Sequence, residues 1–388
     1  MTRRICVVTG TRAEYGLLRG VLRRLGADAE VDLQLVVTGM HLAPEFGLTV
    51  CEIEADGFPI AARVEMLLST DTATGVSKAM GLGMIGFADA FDRLRPDIIV
   101  VLGDRFEIFA AAAAALIAGV PLAHIHGGET TEGAFDEAIR HAVTKMAHLH
   151  FVAAEPYRRR VIQLGEDPAR VFQVGGLGVD AIAELALLDR VALEASLDFR
   201  FGDRSLMVTF HPATLDGDVA GTQMAALLDA LAVRGDTQLI FTMPNADTGG
   251  HGIAAQIAGF VAAHPNARVY ASLGQLRYLS CLQFVDGVVG NSSSGLAEAP
   301  SFRIGTVNIG DRQRGRLSAA SVIDCPPDRV AIGAAIDRLY DPGFRAELAG
   351  VRNPYGEGGA AAKIAAMLTD HALDGLIKKH FHDLEISA

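Results

Sequence analysis

Between Pro121 and His150 the chain reads PLAHIHGGETTEGAFDEAIRHAVTKMAHLH, which sets histidines and four carboxylates beside a pair of glycines. Imidazole and carboxyl groups gathered out of bulk water can have their proton affinities set apart by burial and by one another's charge, as general acid–base chemistry requires. A His-x-His beside a carboxylate is also a ligand set that zinc accepts. The third reading is a hydrogen-bonded core histidine next to a solvated acidic loop. Residue types alone leave all three open.

For these side chains to meet, particular elements must carry them. PLAHIH is a short apolar run that suits a buried parallel strand, and Gly127-Gly128 marks its end. On such a strand His124 and His126 share one face. The following loop carries Glu129 and Glu132, and Asp136 stands where a helix N-cap would, ahead of AIRHAVTKMAHL. Ligands of open α/β sheets bind outside the carboxyl ends of the strands, so Glu129 and Asp136 can fold back towards the two histidines. DIIVVLGDRFE makes a second such end: Ile98 to Leu102 is continuously apolar, Gly103 breaks it, and Asp104, Arg105 and Glu107 precede an alanine-rich helix.

The rest of the chain repeats this pattern. Ile5 to Val8 and Leu33 to Val37 read as strands, Leu17 to Leu25 and Ala73 to Leu94 as helices, with an irregular region around Arg63 to Glu65. Alternation of this kind predicts a doubly wound parallel sheet. The pattern pauses at Gly175-Gly176-Leu177-Gly178 and resumes with strands at Ser205 to Phe210, Gln238 to Thr242, Arg268 to Tyr270 and Gly287 to Val289. Helical stretches over Val330 to Leu348 and Ala360 to His380 follow. The expected organisation is two α/β domains, 1–177 joined by 360–388, and 178–359.

The second half carries its own signal in VVGNSSSGLAEAPSFRIGTVNIG. A strand, then Gly290 to Gly295 with Ser292, Ser293 and Ser294, then a helix start at Leu296 would offer hydroxyls and free N–H groups to a phosphate, or merely cap the helix. Glu298, one turn into that helix, suits a sugar hydroxyl better than a phosphate. Arg12 in the first turn, His211 at a strand end, and Arg312, Arg314 and Arg316 are further donors for a diphosphate. Neither G-x-G-x-x-G nor GxxxxGK[ST] occurs, which moves NAD and ATP down the list.

Composition narrows the class. Of 388 residues, 50% are hydrophobic and 21% charged, the balance of a globular protein with much buried sheet. A net charge of -12 argues against nucleic acid or an anionic membrane as the main partner. Cys6, Cys51, Cys281 and Cys325 are far apart with no Cys-x-x-Cys, so reduced thiols are expected and no metal motif is visible. The longest apolar run, Phe109 to Ala123, contains a Gly-Val-Pro break and falls short of the ~20 residues a spanning helix needs. ICVVTG after MTRR is too short for a signal peptide, and a cytoplasmic protein is expected.

Taken in order, VTGTRAEYG, VLGDRFE, HIHGGETTEGAFDEAIRHAVTK, FHPAT, MPNADTGG, GNSSSGLAEAP and NIGDRQRGR resemble the hydrolysing UDP-N-acetylglucosamine 2-epimerases of sialic-acid biosynthesis, over nearly the whole chain. The resemblance implies a GT-B fold, two Rossmann-like domains with a nucleotide sugar in the cleft. It implies elimination of UDP to a glycal, then addition of water to give N-acetylmannosamine, with no cofactor or metal and with a homo-oligomer, dimer or tetramer. By the same resemblance Asp104 and Asp136 are the catalytic acids, and His126 and Glu129 are the further catalytic candidates. Arg12, Glu137, His211, Asn245, Ser292, Ser293, Ser294, Glu298 and Arg312 are the substrate contacts. Where many members carry His-x-Glu-Gly-Gly this chain has His126, so either that imidazole or Glu129 takes the place of the usual carboxylate. The HIHGGE form is also similar to relatives acting on UDP- or GDP-linked 2,4-diacetamido-trideoxy sugars of the legionaminic acid pathway. A GT-B glycosyltransferase and a non-catalytic nucleotide-sugar sensor would share the nucleotide site, but neither needs the clustered acids.

Overall fold

A computed structural model describes residues 2–68, 72–130, 135–211, 220–243, 250–271 and 273–385. Two compact units divide the chain: Met1–Glu129 with Phe135–Ala181 and Gly358–Ala388, and Thr130–Ala134 with Ile182–Glu357.

In the first unit, strands and helices alternate as β1 (Arg3–Thr9), α1 (Arg12–Ala27), β2 (Val31–Thr38), α2 (Val50–Ala55), β3 (Ile60–Val64), α3 (Ala73–Leu94), β4 (Ile98–Leu102), α4 (Phe106–Ala118), β5 (Leu122–Ile125), α5 (Asp136–Met146), β6 (Leu149–Val152), α6 (Glu155–Gln163) and β7 (Val171–Gln173). All pairings are parallel, in the order β3-β2-β1-β4-β5-β6-β7. Connections run outward from β1 to β3, then restart at β4 on the other side of β1. The gap between β1 and β4 is therefore the topological switch point. Both faces of the sheet are covered, as a parallel sheet requires: Ile5 and Val7 pack into one apolar cluster, Cys6 and Val8 into the other. Each such side chain contributes about 1.5–3 kcal/mol of burial.

The division between units falls inside α7 (Leu177–Glu184). The second unit continues with α8 (Arg190–Leu197), β8 (Ser205–Thr209), α9 (Ala220–Ala232), β9 (Gln238–Thr242), α10 (Gly250–Ala263), β10 (Ala267–Tyr270), α11 (Gly274–Cys281), β11 (Gly287–Gly290), α12 (Ser294–Ala297), β12 (Gly305–Ile309), β13 (Val322–Cys325), α13 (Arg329–Leu339) and α14 (Pro342–Leu348). Its sheet, also parallel, has the order β10-β9-β8-β11-β12-β13, which puts its switch point between β8 and β11. The last described helix, α15 (Ala360–Asp370), belongs to the first unit. There the buried Asp180 carboxylate accepts the N–H groups of Ala360 and Ala361 and so caps the helix.

Several elements depart from the periodicity reading. The region around Arg63 is an edge strand, β3, whose outer residues alternate between buried and exposed and so lack a continuous apolar run. The helical stretch from 330 to 348 is two helices, because Asp341 caps a new one with Pro342 at its first position. The last helix stops at Asp370, well before His380. No described helix is long and apolar enough to cross a membrane.

Candidate active site

Beyond Leu102 the chain turns through Gly103, at φ +85°, and delivers Asp104 and Arg105 to the start of α4. One strand over, β5 ends at Ile125. His126 follows in the left-handed region at φ +66°, a conformation that costs a non-glycine residue about 1 kcal/mol or more. Its N–H donates to Phe151 O at 2.9 Å, which holds the turn in place. Gly128 behind it is a steric necessity, since a Cβ there would lie 2.4 Å from Tyr157 O, while one on Gly127 would sit tightly, 3.1 Å from His124 Nδ1.

This turn separates the two histidines expected on one face. His124 is fully buried on β5, its Nε2 2.8 Å from Gly103 O and its Nδ1 3.1 Å from Thr144 Oγ1. Burial holds its pKa down to about 3, so it is a neutral core histidine. His126 points elsewhere. Its Nδ1 lies 3.0 Å from Glu129 Oε1, and its Nε2 is buried with no hydrogen-bond partner among the described residues.

Arg140, 4% exposed, ties the group together. Its Nη2 pairs with Asp104, its Nη1 lies 3.7 Å from Glu129 Oε2 and donates to His126 O at 3.1 Å. The Asp104 and Glu129 carboxylates and the His126 carbonyl thus converge on one buried guanidinium. Asp136 is the first residue of α5, whose N-cap is Phe135, so it does not cap the helix as expected. Burial and the Asp104 charge push its carboxyl above the ordinary range, while Arg105 and Arg140 pull the other way. Glu137, beside it, faces His141 at 3.1 Å. Arg12 opens α1 immediately after the Thr11 cap.

In the second unit, His211 follows β8 and is held by Asn291, which follows β11. The His211 N–H donates to Asn291 Oδ1 at 2.7 Å, and Asn291 Nδ2 donates to His211 O at 2.8 Å. Arg312 Nη1 and Gln313 Nε2 both donate to Asn291 O, at 3.0 and 2.8 Å. The helix expected from Leu296 instead begins at Ser294 and lasts one turn, leaving Glu298 as its C-cap. Ser292 and Ser293 precede it without a side-chain cap bond from Ser293. Tyr278 donates to Ser294 Oγ at 2.5 Å, and Ser294 in turn donates to Glu298 Oε2. Burial raises the Glu298 carboxyl and the Ser294 bond opposes it. A separate cavity of about 550 Å³ opens at the carboxyl ends of β12 and β13, lined among others by Asn308, Gln313, Arg314 and Arg316.

Asn245 and Glu132 lie outside the described residues. Among the described residues no group of three His, Cys, Asp or Glu is placed to hold a metal ion. Arg140, Asn291 and Tyr278 escaped sequence reasoning. Arg140 sits four residues after Asp136, a spacing that brings two side chains to one helix face, and that was the available signal.

Two Rossmann-like units, each with a parallel sheet and helices, give the chain the GT-B fold. A family model described as UDP-N-acetylglucosamine 2-epimerase matches residues 23–369, and the chain belongs to that family. It is 40% identical over 323 residues to a GDP/UDP-N,N'-diacetylbacillosamine 2-epimerase (hydrolyzing) of Campylobacter jejuni, covering 83% of this chain and 84% of that protein. It is also 40% identical over 372 residues to polysialic acid biosynthesis protein P7 of Escherichia coli, covering 95% and 94%. The crystal structure of UDP-GlcNAc 2-epimerase from Neisseria meningitidis bound to UDP-GlcNAc superposes with a TM-score of 0.73 at 17% identity, covering 94% of this chain and 99% of that one.

Proposed function

We propose that the protein is a hydrolysing 2-epimerase of a nucleotide-linked 2-acetamido sugar, and that its substrate is N,N'-diacetylbacillosamine carried on UDP or GDP. The observation that carries the reaction is the convergence of Asp104, His126 and Glu129 on Arg140, with Asp136 alongside. His126, whose Nδ1 lies 3.0 Å from Glu129 Oε1, takes the C2 proton on Nε2. The C1–O bond to the diphosphate breaks as the C1=C2 bond forms, and the nucleoside diphosphate leaves with the bonding pair. Water then adds at C1, its proton passing to the Asp104 carboxylate, while Asp136, held towards its protonated form, supplies the new proton at C2. Arg12, His211, Asn245, Ser292, Ser293, Ser294 and Arg312 are the proposed donors to the diphosphate, Glu298 the acceptor for the ribose, and Glu137 a sugar contact.

The HIHGGE form and the 40% identity to the Campylobacter jejuni protein support the diacetamido substrate. UDP-N-acetylglucosamine, giving N-acetylmannosamine and UDP, is the second reading, and the description of the matching family favours it. Proton NMR in D₂O with each nucleotide sugar in turn separates them. The expected result is free 2-epimer deuterated at C2, plus nucleoside diphosphate, from the diacetamido substrate. Turnover of UDP-N-acetylglucosamine alone would reassign the substrate, and a product that keeps its nucleotide would rule out hydrolysis.

A further inference from the structure

At the switch point of the first sheet two more carboxyls, Glu14 and Glu107, are buried without a part in the reaction proposed above. Glu107, in the first turn of α4, has no exposed surface. Its carboxylate receives the Arg105 guanidinium through two N–H groups, Nε to Oε2 at 3.2 Å and Nη2 to Oε1 at 3.3 Å. Two glycines make room for it: a Cβ on Gly39 would lie 3.1 Å from Glu107 Oε1, and one on Gly10 3.4 Å from Glu107 Cβ. The Gly10 Cβ would also lie 3.5 Å from Glu14 Oε2, so the Glu14 carboxyl and the Glu107 methylenes close on the same glycine. Glu14 Oε2 accepts the Gly10 N–H at 2.8 Å, and its Oε1 is buried without a hydrogen-bond partner among the described residues.

An inventory of charge shows what this arrangement does. Arg140 is paired with Asp104, and Arg105 with Glu107. Among the described residues neither Glu14 nor Asp136 has an ion-pair partner, and these are the two carboxyls whose burial and like-charged neighbours favour the neutral form. The charges acting on Asp136 are Asp104 and Arg105 from the β4–α4 turn and Arg140 from its own helix, with Glu14 and Glu107 behind Arg105. Arg105 remains 38% exposed while the carboxylate that grips it is wholly buried, so the fork sets the direction of a cation at the strand end.

We propose that Glu107 is a positioning residue for the acid–base step: its buried fork fixes and partly neutralises Arg105, so that Asp136 keeps the proton it delivers. The proposal rests on the reading of Asp136 as proton donor. Removing the Glu107 charge leaves Arg105 uncompensated and favours ionised Asp136; removing Arg105 does the reverse. The two substitutions must therefore move the same titration in opposite directions.

The test is the pH profile of kcat for the full chain. Glu107→Gln is expected to lower kcat on the order of tenfold or more with KM within about threefold, and to move the Asp136 limb to lower pH. Glu107→Asp, which keeps the charge, is expected to restore part of both. Arg105→Gln, at a half-exposed site, moves the limb to higher pH and supplies the reading should Glu107→Gln not fold. An unmoved limb, shifts of one sign in both variants, or an Asp variant no better than Gln would overturn the proposal. Asp136→Asn is measured in parallel: full activity there removes the underlying role of Asp136, whereas its inactivity beside an unmoved limb in Glu107→Gln removes only the positioning role.

Discussion

The gap between β1 and β4 in the first sheet and the gap between β8 and β11 in the second occupy the same place in the same strand order, yet they are furnished differently. Around the first, Glu14, Asp104, Glu107, Glu129 and Asp136 are set against Arg105, Arg140 and the His126 imidazole. Around the second, Asn291 staples His211 by its backbone, and a chain of hydroxyls runs from Tyr278 through Ser294 to one carboxyl, Glu298. Excess carboxyls near few cations split proton affinities apart, which serves proton transfer. Hydroxyls, amides and an ordered loop present neutral donors, which serve to hold an anion without titrating. The shared topology decides where a ligand meets each sheet, and the side chains at the strand ends decide what happens there.

The comparison predicts that substitutions in the first gap act on kcat and those in the second on affinity. The largest effect is expected for Asp104→Asn, which removes a proposed proton acceptor and the charge opposite the buried Arg140. Turnover should fall by about 10²–10⁴-fold while the Kd for UDP, by calorimetry, stays within about threefold. A variant that loses UDP affinity as much as turnover would break the division of labour.

How far this division could be read in advance depended on burial. β4 is buried at every residue, so its apolar run gave both its limits and the place of Asp104. β3, at the sheet edge, has no such run and was missed. The pairing of His124 with His126 failed because strand periodicity ends at Ile125, where a left-handed turn sends the next side chain elsewhere. Arg140 was passed over because an arginine inside an amphipathic helix ordinarily faces water. Here it is buried by carboxylates supplied from two other loops, a long-range arrangement that local sequence does not encode.

A smaller effect, on the other side of the comparison, is expected for Asn291→Ala. Asn291 is 2% exposed and its side chain bonds both backbone groups of His211, so truncation removes two partly buried hydrogen bonds at about 0.5–1.5 kcal/mol each. If that disorders the His211 turn, KM and the Kd for UDP should rise about tenfold, with kcat changed less than either. A fall in kcat at unchanged KM would place His211 among the reacting groups and erase the contrast between the gaps.

The smallest effect sharpens the contrast through stability. Burial first, then the Glu107 charge, raises the Glu14 pKa to about 8, so the folded chain holds a proton there that the unfolded chain releases near ~4.5. Between those values the folded state binds more protons than the unfolded one. The contribution of neutral Glu14 is thus fully present below about pH 4.5 and is lost progressively as pH rises to about 8. Glu14→Gln keeps an acceptor for the Gly10 N–H but cannot ionise. The difference in Tm between Glu14→Gln and the native chain, by scanning calorimetry, should therefore move in favour of the variant from pH 5 to pH 9, by a few degrees. Glu298 in the second unit is also raised by burial but has no neighbouring carboxylate among its causes, only the opposing Ser294 bond. Glu298→Gln should consequently show a weaker trend over the same range. Equal slopes would mean that burial alone, and not the second carboxyl, sets the protonation of the first switch point.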